Sequence, residues 1–419
     1  IIYAIIYTKG EIIMTYQEAQ ALLKEHGQEQ LLKYYDELSD KERAALLKQI
    51  SSINFSDINI NRSSAARRLG ELSPVPALSC ADVERDRQKY EAAGLAAIRA
   101  GKVAAVLLAG GQGTRLGSDA PKGTYNIGKT RELSIFECQF NNIREVAEKA
   151  EACFHIFIMT SEINNAATIE FFERKDYFGY PKEKVHFFVQ EMAPACDLGG
   201  KVLLEDKGRI AMSPNGNGGW YYSLIKNGDG DILSREGIEW LNVYAVDNVL
   251  QRICDPVFIG ATLQSGCNCS AKVVKKVSPE ERVGVLCMED GRPAIVEYYE
   301  MPQDIAALRR PDGELKFAYG VILNYLFKTE LLNGTLNKKL PVHLSLKKIP
   351  HIEDGVCILP SEPNGYKFEH LVLDMIKLMG SCLAVEVVRE REFAPVKNRT
   401  GVDSVESARA LLEKNGIKL

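Results

Sequence analysis

Apolar positions along the chain follow two different periods, and the change falls near residue 102. Between residues 15 and 100 they recur at three-to-four spacing, as in Leu31-Leu32 and Leu46-Leu47, which puts them on one face of helices. Two starts of the form Ser/Thr-x-x-Glu, at Thr15/Glu18 and Ser39/Glu42, are capping boxes that open such helices. Beyond residue 102 short apolar runs at 103–109, 154–159, 185–189 and 241–246 read as buried strands. Amphipathic stretches at 134–150 and 161–174 lie between them, each beginning on a serine suited to N-capping. Strand and helix in alternation predict an α/β layered sheet. Residues 283–288 and 293–299 flank Asp290-Gly291 and predict a hairpin laid on that sheet. From about residue 347 strand and helix mix again, and the chain ends in the helical ESARALLEKNGIKL. The expected division is a helical N-terminal segment at 14–100, a central α/β domain at 101–345 and a short C-terminal part at 346–419.

Composition narrows the class. A 419-residue chain with 46% hydrophobic and 26% charged residues, without low-complexity tracts or solenoid repeats, is an ordinary globular protein. Its formal net charge of -4 argues against coating nucleic acid, so basic residues matter only where a pocket gathers them. Ten cysteines occur without a CxxC pair, and Cys267-Asn268-Cys269 is too tight for a shared zinc site; reduced thiols and a cytoplasmic location are expected. The opening IIYAIIYTKGEII is apolar but too short to span a bilayer, and Met14 is the expected start.

Residues 107–123 read LLAGGQGTRLGSDAPKG, five glycines in a loop after a strand, where bare backbone can approach a phosphate or a base. A dinucleotide turn needs G-x-G-x-x-G, and counting from Gly111 through Gly113 the third place is Leu116. A Walker loop needs a glycine before its lysine, and Lys122 follows Pro121. What remains is the longer pattern G-G-x-G-T-R-L-G followed by P-K-G.

That pattern resembles the signature of the UDP-N-acetylglucosamine and UDP-sugar pyrophosphorylases. The resemblance continues through MTSE (159–162), PNGNGG (214–219), VYAVDN (243–248), AKVVKK (271–276), VGVLC (283–287), VEYYE (296–300), PNGYKFE (363–369) and FAPVKN (393–398), and covers roughly residues 15–400. It implies a Rossmann-like central mixed sheet between smaller N- and C-terminal parts. It also implies transfer of uridylyl from UTP to a sugar 1-phosphate, releasing pyrophosphate. A phosphate monoester has a second pKa of about 6, so the nucleophile is already dianionic and needs no general base. The barrier lies in bringing polyanions together, which calls for cations and positioning.

By resemblance Arg115 and Lys122 hold the β and γ phosphates, and Lys397 and Lys367 reach the α and sugar phosphates. Asp247 ends an apolar strand, where a carboxylate needs a cation; it would hold Mg2+ or Mn2+, or alternatively cap a following helix. Uracil requires an acceptor flanked by donors. The resemblance gives that part to Gln190 and the backbone of Gly216, with Leu108, Ala109, Gly110 and Gly111 against the nucleoside. By the same resemblance Asn217 and Glu297, with Tyr298 beside them, would face the sugar hydroxyls; apart from the resemblance, Asn217 could be a left-handed turn residue and Glu297 a paired strand carboxylate.

Three departures bear on the sugar and the assembly. Gly320-Val321-Ile322 stands where N-acetylglucosamine enzymes usually have G-N-I, and Leu371-Val372-Leu373 where they often have F-x-F. Only 21 residues follow Asn398, where the eukaryotic members continue for a further domain. The expected acceptor is therefore N-acetylglucosamine 1-phosphate or a related hexose 1-phosphate, with a UDP-glucose or broad UDP-sugar enzyme as the alternative and the oligomeric state open. No nucleic acid or membrane partner is expected. A catalytically silent nucleotide-sugar binder would be expected to lose Lys122, Asp247 or Lys397, and all are present. A glycosyltransferase would need Asp-x-Asp at a central strand end, whereas Asp229-Gly230-Asp231 reads as a turn.

Overall fold

The computed structural model describes residues 14–55, 58, 69–338 and 340–419. Internal contacts divide the described residues into a larger unit, lying within 69–191, 217–341 and 370–419, and a smaller one, lying within 14–58, 192–216 and 342–369. The larger unit is built on an 11-stranded sheet. In chain order its strands are β1 (Leu72–Pro74), β2 (Ala77–Leu78), β3 (Val103–Leu108), β4 (Ile156–Thr160), β5 (Val185–Val189), β6 (Trp240–Ala245), β7 (Cys269–Lys275), β8 (Val285–Glu289), β9 (Arg292–Val296), β10 (Tyr319–Lys328) and β11 (Cys382–Glu386).

The main path runs β2-β11-β7-β10-β6-β3-β4-β5, parallel throughout except that β10 lies antiparallel to both neighbours. The hairpin β8-β9 forms as the Asp290-Gly291 turn requires, with positive φ at both residues, and joins β10 through the single pair Val285↔Gly320. β3 and β4 are buried along their whole length, because helices cover both faces of a parallel sheet and leave no position for a polar side chain. The helix Ile135–Ala150 has Ser134 as its N-cap, as its sequence predicts.

Two expectations are corrected here. Residues 72–78, expected inside the helical segment, form β1 and β2, which pair with β8 and β11. Pro74 and Pro76, each unable to donate a backbone N–H, disfavour a helix there. The stretch 161–174 becomes helical only at Asn165, and Ser161 caps nothing; its own N–H donates to Asn164 Oδ1 at 2.8 Å.

In the smaller unit the helices Tyr16–Glu25 and Asp40–Ser52 both carry the expected capping boxes. Their apolar faces, Leu23, Leu46 and Ile50, share a core with Val202, Leu204 and Ile210. Segments far apart in sequence thus complete that core, and strand Gly365–Glu369 pairs with His343–Lys347 and Cys196–Asp197 beside it. A contiguous division at residues 100 and 345 does not describe this interleaving.

Candidate active site

β3 and β6 are parallel neighbours in register, Leu108 opposite Ala245, so their carboxyl ends open side by side. In open parallel sheets this is where ligands bind. After β3 the glycine loop folds back on itself: Gly113 N–H donates to Ala120 O at 3.0 Å, and Lys122 N–H donates to Gly111 O at 3.2 Å. Lys122 is thereby returned to the strand end it left eleven residues earlier, counting from Gly111. Leu116, buried to 1% exposure, anchors the middle of the loop and leaves Arg115 exposed. Gly117 turns the chain with φ +71°, and the Arg399 guanidinium would lie 3.0 Å from a Cβ there, its Nε donating to Leu116 O at 2.8 Å.

After β6, Asp247 lies in a turn and caps no helix; the next helix, Pro256–Ser265, is capped by Asp255. The buried Gln139 amide donates to Ala245 O and Val246 O at 3.1 and 3.0 Å and fixes the approach to Asp247. From the other side Val396 N–H donates to Asp247 O at 2.8 Å, while the Asn248 side chain bridges Glu392 O and Ala394 N–H at 2.7 and 2.9 Å. These bonds bring Lys397, 150 positions along the chain from Asp247, to the same strand end. Lys397 Nζ is 2.9 Å from Asp403 Oδ2.

Lys122 Nζ stands 4.0 Å from Asp247 Oδ2, and its side chain is 11% exposed. Burial pushes its ammonium below the ordinary lysine range; Asp247 opposes that, while the like charges of Arg115 and Lys397 add to it. The like charges of Arg115 and Lys397 near Lys122 are only partly offset by Asp247 and by Asp403, the partner of Lys397, and such an arrangement is stabilised when a polyanion enters. Among the described residues no group of three or more His, Cys, Asp or Glu that could hold a metal is gathered, and the acidic donor beside Lys122 is Asp247. That donor set suits Mg2+, which takes one or two carboxylates and completes its shell with phosphate oxygens and water.

Gln190 follows β5, its N–H bound to Thr160 O at 2.9 Å, and it is buried to 6% exposure. Its amide lies over Gly110, where a Cβ would come within 2.4 Å of Nε2. Leu108 and Ala109 are buried beside it, and Ala109 N–H is held by Met159 O at 2.8 Å. Asn164, fully buried, donates to Ala109 O at 3.0 Å and Gly111 O at 3.4 Å.

Asn217 is not a left-handed turn residue; its Oδ1 accepts from Val372 N–H at 2.9 Å and steadies the loop bearing Leu371 and Leu373. Leu373 is buried in the core, and Leu371 and Val321 pack partly buried against the same core. Glu297 lies just past β9, in a turn where its carbonyl accepts from Glu300 and Met301 N–H. A Cβ on Gly284 would be 3.6 Å from Glu297 Oε1 and 3.4 Å from Val321 Cγ2, so both border one spot. Tyr298 is 44% exposed and meets Tyr299 edge-on. Gly216, with φ +86°, and Lys367, on the strand Gly365–Glu369, belong to the smaller unit.

The larger unit thus brings together Leu108, Ala109, Gly110, Gly111, Arg115, Lys122, Gln190, Asp247 and Lys397 around adjoining strand ends. Asn164, Gln139, Asn248 and Arg399 escaped the sequence reading. The available signal was polar residues in otherwise apolar surroundings, Gln139 on the buried face of its helix above all.

The family described as UTP–glucose-1-phosphate uridylyltransferase matches residues 55–419. The chain belongs to that family. Among relatives of this uridylyltransferase, a human UDP-N-acetylhexosamine pyrophosphorylase-like protein 1 is 38% identical, the match covering 92% of this chain and 81% of the relative. A Saccharomyces cerevisiae UDP-N-acetylglucosamine pyrophosphorylase is 35% identical over 95% of this chain and 90% of its own. The crystal structure of a uridine diphosphate N-acetylglucosamine pyrophosphorylase from Trypanosoma brucei superposes with a TM-score of 0.81 at 29% identity, covering 96% of this chain and 85% of that one. The mixed α/β sheet expected from the sequence is the fold of this family.

Proposed function

We propose that the chain transfers uridylyl from UTP to a hexose 1-phosphate, with N-acetylglucosamine 1-phosphate the favoured acceptor. The supporting observation is Lys122, 4.0 Å from Asp247 at the ends of β3 and β6, with the charges of Arg115 and Lys397 acting on it. The sugar phosphate oxygen bonds to the α-phosphorus in line as the bond to the β-phosphate bridging oxygen breaks, and pyrophosphate leaves. The acceptor is already dianionic at neutral pH, so no side chain need take a proton. Lys122 and Arg115 stabilise the charge that grows on pyrophosphate, and Lys397 offsets repulsion between the reacting phosphates. Gln190 offers uracil both an acceptor and donors from one amide. Mg2+ or Mn2+ held by Asp247 would supply further charge neutralisation on the phosphates.

The sugar assignment leans on the names of the relatives, while Val321, Leu371 and Leu373 favour a more permissive pocket. Losing one hydrogen-bonding partner costs about 0.5–1.5 kcal/mol, roughly tenfold in selectivity. Glucose and galactose 1-phosphates are therefore expected to compete. No helix among the described residues is long and apolar enough to cross a membrane, and none of the ten cysteines is in a disulfide, which fits a reducing cytoplasm.

The test is pyrophosphate release from UTP with a panel of hexose and hexosamine 1-phosphates, followed by kcat/KM for the three sugars. No pyrophosphate with any acceptor overturns uridylyl transfer and leaves a nucleotide-sugar binder. Release of UDP instead marks a glycosyltransferase. No activity with N-acetylglucosamine 1-phosphate alone moves the chain to the glucose or broad-specificity branch, and a preference above about 1000-fold shows an unrelaxed pocket.

A further inference from the structure

The AKVVKK stretch carries a buried cation that the reading above leaves without a part. Lys272, on β7, has a side chain with 0% exposure, and its Nζ lies 2.6 Å from Glu392 Oε2 and 2.9 Å from Asp255 Oδ2. Its third contact is Arg252 O at 3.4 Å. An ammonium has three protons to donate, and each has an acceptor here. Burial opposes the charge, but the two carboxylates outweigh it and hold the ammonium above the ordinary lysine range.

Replacing such a cluster by apolar residues is often neutral or stabilising, so stability alone gives no reason for it. Its connections give one. Glu392 stands five residues before Lys397, and its own carbonyl accepts the Asn248 amide at 2.7 Å. Asn248 Oδ1 in turn accepts Ala394 N–H at 2.9 Å, and Asp247 O accepts Val396 N–H at 2.8 Å. The register of 392–397 against 247–249 therefore decides where Lys397 stands relative to Asp247, and Lys272 grips the first residue of that run. Arg252, its third partner, lies on the segment leaving Asp247.

We propose that Lys272 is a positioning residue for uridylyl transfer, locking the Glu392 end of the strap so that Lys397 meets Asp247 at the site. This rests on the proposed function above. Asp255, the other carboxylate, provides an internal control. Its Oδ1 caps the helix Pro256–Ser265 by accepting Val257 N–H at 3.0 Å, and it reaches the strap only indirectly, through Lys272.

The experiment compares Lys272→Met, Glu392→Gln and Asp255→Asn, each measured well below its own melting temperature. A small misplacement of a catalytic group can cost about 100-fold. Glu392→Gln is expected to lower kcat at least about tenfold with KM for UTP nearly unchanged, and to speed amide exchange in residues 393–398. Lys272→Met should do the same if it folds. Asp255→Asn is expected to lower the melting temperature comparably while kcat stays within about twofold. Equal kcat losses in Glu392→Gln and Asp255→Asn, or parental kcat in Glu392→Gln, overturn the positioning role while leaving uridylyl transfer intact. A parent protein that releases no pyrophosphate with any acceptor overturns the transfer reading and this role with it.

Discussion

The Gln190 amide occupies the space that a side chain at position 110 would need: a Cβ on Gly110 would lie 2.4 Å from Gln190 Nε2 and 2.9 Å from Cδ. The bare backbone after β3 is thus tied to one particular amide, itself held by Thr160 O. Gly110→Ala is expected to displace Gln190 and lower kcat/KM for UTP by about 10- to 100-fold. In a Gln190→Ala background the same change should cost little more. Additive losses in that double-mutant cycle would assign Gly110 a role independent of Gln190.

Gln190→Glu replaces an amide that donates and accepts by a carboxylate that only accepts. The expected result is weaker use of UTP without loss of fold. Measured preference among nucleoside triphosphates checks this, and an unchanged preference for UTP would place base reading elsewhere.

Lys122→Ala and Asp247→Ala each remove a charge from a shielded site and are expected to lower kcat by about 100-fold or more. Melting temperature should change little. Lys122 is held below its ordinary range chiefly by burial, so its charge is a cost to the unliganded fold rather than a support. A variant that melts like the parent and turns over within a few-fold of it removes that residue from the mechanism.

Asn164→Asp keeps the oxygen that accepts Ser161 N–H but loses the donations to Ala109 O and Gly111 O. A buried acceptor left unpaired costs about 1–3 kcal/mol, so the variant should be measurably less stable to denaturant and bind UTP less tightly. Parental UTP affinity would show that the glycine loop keeps its shape without Asn164.

Acid stability provides a test away from the site. Lys184 Nζ contacts His155 Nε2 at 2.9 Å, and His155 Nδ1 contacts His186 Nε2 at 2.8 Å. An ammonium can only donate, so His155 Nε2 accepts and its Nδ1–H is given to His186. Burial, then the neighbouring His155 and Lys184, push His186 down to about 4, and burial lowers His155 as well. Between pH 6.5 and about 4 the unfolded chain binds more protons than the folded one, so stability rises with pH there and is lost as pH falls. The melting temperature should drop more between pH 7 and pH 5 in the parent than in His186→Gln. Equal slopes would exclude the pair as a source of acid sensitivity.

Local chemistry wrote much of this plainly. The capping boxes at Thr15 and Ser39, the strand at 185–189 and the Asp290-Gly291 hairpin depend on neighbours within a few residues, and all formed as expected. The loop 107–123 was equally legible, because its glycines answer to steric limits on single residues. Residues 72–78 were misread because strands this short are stabilised by partners more than 200 positions away, Cys287–Glu289 and Ala384-Val385. Ser161 does not open the helix because residues 161–164 form a turn in which Ser161 N–H donates to Asn164 Oδ1 and Asn164 is held against the glycine loop, contacts that the spacing of apolar residues does not reveal.

By itself the sequence determined that a glycine-lined, phosphate-sized loop follows a buried strand, and which cations stand near it along the chain. Only the tertiary structure decided how the bonds of 392–396 to 247–249 carry Lys397 to the strand end of Lys122 and Asp247, that Asn164, Gln139 and Asn248 hold the surrounding loops in place, and that residues 192–216 and 342–369 complete the core and sheet of the N-terminal unit. The physical reason is range. Capping, turn geometry and periodicity are fixed within one or two turns of chain, whereas the placement of a buried amide or ammonium depends on partners that only the folded chain brings within 3 Å.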